Sequence, residues 1–205
     1  MAGPGRPPLK IVLVGNARVG KSCLMNQFIN HRSTGRYRAT LGANFFTKVM
    51  ELEGRTVAVQ SAQLWDTAGT ERFQCLGVAL YRGAHCGVLV FDVTAAASFQ
   101  AVAAWRSEFL QQADPPDPKR FPFVLLGNKT DLPGRQVSPR EAEEWCARTE
   151  AQYFETSAKD GTGVALAFRS AVQAALRQQG QGAPECAGSV VLLPPGPPGP
   201  KTCAC

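Results

Sequence analysis

Mostly apolar runs recur along this chain: KIVLV at 10–14, VLVFDV at 88–93 and FVLLG at 123–127. Runs of this length without polar alternation predict strands covered on both faces, the environment of a parallel sheet. YFETS at 153–157 predicts a shorter strand. Between them the spacing turns helical. Phe99, Val102, Ala103, Phe109 and Leu110 share a stripe within 98–112. Val164, Phe168, Ala171, Val172, Ala175 and Leu176 share another within 164–176. Ser138-Pro139-Arg140-Glu141 has the form of a capping box with proline at the first helical position, and it opens EAEEWCAR. Strands alternating with helices predict an α/β fold, a mostly parallel sheet flanked by helices.

The pattern also sets boundaries. Residues 1–8 are rich in Pro and Gly and predict a loose arm. The folded domain is expected over 9–177, and from 178 to 205 the periodicity gives way to a polar, Pro/Gly-dense tail that cannot form a core. A length of 205 residues suits one domain of this kind. Seven cysteines form no pair of CxxC units, and their number is odd, which points to a reducing compartment. The N-terminal segment MAGPGRPPLK has no apolar core of a secretory signal, and no apolar run approaches the length of a membrane span. The charge of +6 favours anionic partners. Nucleic acid is not expected among them, because no basic stripe with interleaved aromatics is present.

Four motifs carry candidate chemistry, each after an apolar run. GNARVGKS at 15–22 fits the phosphate-loop pattern G-x-x-x-x-G-K-S between a strand and a helix. Backbone N–H groups of such a loop wrap phosphates, Lys21 reaches the β- and γ-phosphates, and Ser22 can hold Mg²⁺. In WDTAGTERFQ at 65–74, Asp66 stands where a phosphate-loop protein keeps its Mg²⁺-side carboxylate, and the backbone of Gly69 can approach a γ-phosphate. A helix N-cap is the alternative reading of Asp66. In NKTD at 128–131, Asp131 can accept from both the ring N–H and the exocyclic amine of guanine, a pair adenine lacks. Asn128 and Lys129 would brace the base. In TSAK at 156–159 a backbone amide can meet the guanine oxygen. Loops at the carboxyl ends of strands are where such sheets bind ligands.

On these motifs, residues 9–177 resemble a small GTPase of the Ras superfamily, and specifically the late-endosomal branch of the Rabs. LMNQFIN, LGANFFTK, ERFQCLGVALYRGA and YFETSAK carry that likeness. The resemblance implies a six-stranded P-loop NTPase fold, GTP/GDP and Mg²⁺ as ligands, and GTP hydrolysis to GDP and phosphate. It implies nucleotide contacts from Gly15, Asn16, Ala17, Arg18, Val19, Gly20, Lys21, Ser22, Cys23, Thr40, Gly69, Asn128, Lys129, Asp131, Ser157, Ala158 and Lys159. Mg²⁺ would be held by Ser22, Thr40 and Asp66. Phe45, Trp65 and Leu80 fall at the effector-facing positions, where Leu80 replaces the usual aromatic. Implied partners are effectors, an exchange factor, a GTPase-activating protein, an escort protein and a GDP-dissociation inhibitor, around a monomer. The implied location is the cytosolic face of late-endosomal or lysosomal membranes.

Three departures bear on activity. Thr70 stands where relatives carry the glutamine that orients the attacking water. Losing one such contact typically costs roughly 10²–10³ in rate. Small-GTPase hydrolysis is already only on the order of 10⁻⁴ s⁻¹. Rab-type activating proteins supply both Arg and Gln in trans, so stimulated turnover is compatible with Thr70. Arg18 replaces a glycine and is strained if its φ is positive. Three extra residues fall within VAVQSAQLW at 57–65 and must either bulge the strand or lengthen its hairpin. A largely non-hydrolysing, GTP-bound scaffold or a degenerate GTPase with poor nucleotide binding is the alternative reading.

The tail ends CAC, similar to the Cys-x-Cys ending on which Rabs receive two geranylgeranyl groups, here Cys203 and Cys205. Two prenyl chains anchor stably where one does not. Val190–Leu193 resembles the apolar segment that engages the escort protein.

Overall fold

The computed structural model describes residues 8–30, 44–52, 55–63 and 81–181. Its elements, in chain order, are β1 (Leu9–Val14), α1 (Lys21–Asn30), β2 (Asn44–Leu52), β3 (Arg55–Gln63), β4 (Cys86–Asp92), α2 (Ala96–Gln100) and α3 (Val102–Ala113). They continue with β5 (Phe123–Asn128), α4 (Pro139–Thr149), β6 (Gln152–Thr156) and α5 (Val164–Gln181). The six strands form one sheet in the order β2-β3-β1-β4-β5-β6. Only the β2–β3 pair is antiparallel; the other four pairs are parallel.

The apolar runs are buried on both faces, as parallel pairing requires. Ile11, Leu13, Val88, Val90, Val124 and Leu126 pack toward α1 and α5, against Leu24, Phe28, Phe168 and Val172. Their alternates Val12, Val14, Leu89, Phe91 and Leu125 pack on the opposite face against Val102, Phe109, Ala142 and Cys146. Phe28 and Phe168 stack at 4.3 Å and fix α1 against α5. α4 starts with the expected device: Ser138 accepts from the Glu141 N–H while the Glu141 carboxylate accepts from the Ser138 N–H, with Pro139 at the first turn.

Two details differ from the sequence pattern, and a third decides between its alternatives. The helical stretch around residue 100 divides at Ala101 into α2 and α3, and Ala103 is exposed although Val102 and Phe109 are buried. α5 runs on to Gln181, so 178–181 are helical and not part of a structureless tail. Arg177, Gln178 and Gln179 are good helix formers and prolong a helix that has no further apolar face to bury. The inserted residues make no bulge within β3. Ser61, Ala62 and Gln63 pair with Phe46, Phe45 and Asn44 of β2 in unbroken register, and with Ile11, Val12 and Leu13 of β1. VAVQ and SAQ both serve as regular strand, and the hairpin is long. Leu64, Trp65 and Asp66 lie outside the described residues.

Candidate functional site

The loops after β1, β5 and β6 meet at one end of the sheet, and glycine geometry shapes the first. A Cβ on Gly15, whose φ is +143°, would stand 2.1 Å from the Val90 carbonyl oxygen. One on Gly20, at φ +100°, would stand 2.3 Å from Asn128 Nδ2. The chain therefore passes close to β4 and β5 before α1 begins with the Leu24 N–H on the Gly20 carbonyl, at 2.9 Å. Lys21 is 6% exposed, and its ammonium donates to the carbonyls of Gly15 (2.6 Å) and Asn16 (2.7 Å). A cation held inside a curl of backbone at a helix start is suited to phosphate oxygens. Val19 is buried in the α1–α5 core. Ala17 and Arg18 are exposed, and Asn16, Ser22 and Cys23 are partly buried. Arg18 does have positive φ, at 64°, so its side chain is carried on left-handed backbone.

Asn128 joins the three loops. It is 1% exposed at the end of β5; its Nδ2 donates to the Val19 carbonyl (2.8 Å) and its Oδ1 accepts from the Ala158 N–H (3.2 Å) and Thr156 Oγ1 (3.3 Å). The phosphate loop, NKTD and TSAK are thereby fixed to a single amide. Asp131 is held by the Ser157 hydroxyl, which donates at 2.8 Å, and by the Lys159 ammonium 3.7 Å away. Ser157 Oγ in turn accepts from the N–H groups of Lys159 and Asp160. A carboxylate steadied in this way is suited to accept a pair of ring-edge N–H groups.

Two side chains without a role in the sequence reading belong to this frame. Asp92, 7% exposed at the end of β4, pairs with Lys129: Nζ lies 2.6 Å from Oδ2. Its Oδ1 accepts from the Thr94 N–H (2.8 Å) and Thr94 Oγ1 (2.6 Å). Burial pushes the Asp92 pKa up, but the bonds from Lys129 and Thr94 and the lysine charge outweigh it, so the carboxyl sits below its ordinary range. Trp105 of α3 donates its indole N–H to Asn16 Oδ1 at 2.6 Å. The only sequence signal for Asp92 is a carboxylate closing an apolar run; Trp105 gives none.

The Mg²⁺ set is partly within reach. Ser22 offers a hydroxyl oxygen at the start of α1, a ligand type that suits a hard cation. Thr40 and Asp66 lie outside the described residues, as do Gly69, Thr70, Trp65, Leu80, Cys203 and Cys205; Phe45 lies on β2. Among the described residues no cluster of His, Cys, Asp and Glu could hold a metal by itself.

This fold and frame define a P-loop nucleotide-binding protein of the small-GTPase class. The Ras family model matches residues 10–177, and the chain belongs to that family, whose members are GTPases that bind GTP/GDP and Mg²⁺. It is 50% identical over 182 residues to the Ras-related protein Rab7 of Drosophila melanogaster, covering 88% of this chain and 86% of that one. It is 51% identical to Ras-related protein Rab7 of Cenchrus ciliaris, covering 87% of each, and 50% identical to Ras-related protein RABG3c of Arabidopsis thaliana, again over 87% of each. It is thus a Rab7-like small GTPase, a molecular switch of endosomal traffic.

Proposed function

We propose that this protein is a slow GTP/GDP switch on late-endosomal membranes, recruiting effectors while GTP is bound. The observation that carries the nucleotide reading is the Asn128 amide, which bonds to Val19, Thr156 and Ala158 at once. Lys21 would bind the β- and γ-phosphates, and Asp131 would accept from the guanine edge beside the backbone of Ala158. Ser22, Thr40 and Asp66 would hold Mg²⁺, which when bound neutralises charge on the β- and γ-phosphate oxygens. Hydrolysis breaks the bond from the γ-phosphorus to its bridging oxygen as water attacks in line. Thr70 is too short, and lacks the amide, to orient that water as glutamine does. Closure of the segments bearing Thr40 and Gly69 on the γ-phosphate would expose Phe45, Trp65 and Leu80 to effectors. Prenyl groups on Cys203 and Cys205 would hold the switch at the membrane, delivered by an escort protein and withdrawn by a GDP-dissociation inhibitor. The intact Lys21 and Asn128 geometry supports real nucleotide binding over a degenerate fold.

Single-turnover hydrolysis of GTP by the purified full chain tests this reading, alone and with a Rab-activating domain. Wild type should turn over roughly 10²-fold slower than Thr70→Gln when unassisted. Equal unassisted rates would sink the assignment of Thr70.

A further inference from the structure

We propose that Asp92 is a positioning residue for nucleotide retention, anchoring Lys129 across the base end of the site. The inference rests on guanine binding at NKTD and TSAK. Asp92 and Asn128 are register partners at the ends of the parallel strands β4 and β5. Lys129 is the next residue, and it leaves β5 with φ at 69°, a conformation that carries a lysine side chain only when its surroundings hold it there. The side chain reaches back to the neighbouring strand and ends 2.6 Å from Asp92 Oδ2, with the two side chains 29% and 10% exposed.

The anchor is itself immobilised. Thr94 donates twice to Asp92 Oδ1, and the Asp92 backbone N–H donates to Ser98 Oγ at 3.0 Å. A lysine stem has four rotatable bonds and a strongly hydrated head, so on its own it would turn outward into water. The fixed carboxylate removes that freedom and keeps the apolar stem lying at the site's edge. Asp131, the base-reading carboxylate, is two residues further along the same loop. The Asp92–Lys129 pair therefore stiffens the wall beside the base.

The test is release of a fluorescent GDP analogue from the full chain, with wild type, Asp92→Asn, Lys129→Met and the double variant. Losing one fixed charge-assisted contact should speed release about tenfold in either single variant. The double variant should release no faster than Lys129→Met, because both changes remove the same link. The acceleration of release by EDTA should be unchanged in Asp92→Asn, since the metal and phosphates are untouched; general loosening of the domain would alter it. Additive effects in the cycle, or an altered EDTA response, overturn the proposal. Lys129→Met is carried on a partly exposed side chain, so if Asp92→Asn does not fold, a wild-type release rate in Lys129→Met overturns it as well. Wild type that takes up no analogue at all overturns both this inference and the switch reading; normal uptake with additive variants overturns this inference alone.

Discussion

Asn128→Ala removes the side chain on which the three described loops converge. Two buried backbone groups then lose their partners, the carbonyl of Val19 and the N–H of Ala158. Val19 and Ala158 are 2% and 7% exposed, so water does not readily replace the amide. Thr156 Oγ1 keeps the Gly127 carbonyl as an acceptor at 3.5 Å and adds little to the loss. Each orphaned group costs about 1–3 kcal/mol, giving a loss of about 2–6 kcal/mol. With a urea slope of about 2 kcal/mol/M, the unfolding midpoint should fall by about 1–3 M. The measurement is made in EDTA on protein stripped of nucleotide, because a ligand bound only to the folded state adds its own stabilisation. A fall of less than about 0.3 M at unchanged slope would show that Asn128 does not brace the frame. A fall seen only when nucleotide is present would reassign Asn128 to base contact alone.

Two further outcomes follow from the same geometry. Gly20→Ala would bring a methyl to 2.3 Å from Asn128 Nδ2 on backbone with φ of +100°, so nucleotide release should quicken and the melting temperature fall; unchanged values in both would contradict the close approach. His85 accepts from the Lys10 N–H through Nδ1 at 3.0 Å, and burial, with the Lys10 charge second, holds the imidazole below its ordinary pKa. The unfolded chain then binds the extra proton more readily, so stability falls as pH drops below about 6.5. Urea unfolding of wild type against His85→Gln between pH 7 and 5.5 should show the variant's pH dependence to be the flatter; parallel curves would remove His85 from the account.

What could be read from the sequence was local. KIVLV, VLVFDV and FVLLG predict β1, β4 and β5 because strands covered on both faces leave no polar alternation, and Ser138 to Glu141 predict the start of α4 from one turn of chain. The Lys21, Asn128, Asp131 and Ser157 positions follow from motifs of similar length. The Asp92–Lys129 pair could not be read in this way, because it depends on the register of β4 against β5. Trp105 and Asn16 are 89 residues apart and meet only once α3 has packed. The inserted residues were ambiguous for a different reason: VAVQ and SAQ alternate equally well, and only the unbroken ladder to β2 shows that both are strand.

Three loops braced by Asn128 should bind a guanine nucleotide. The direct measurement is competition for the stripped full chain between a fluorescent GDP analogue and unlabelled GDP or ADP. GDP should displace the analogue, and ADP at the same concentration should not. Equal displacement by ADP would contradict the role of Asp131, and a chain that binds neither nucleotide would contradict the switch itself.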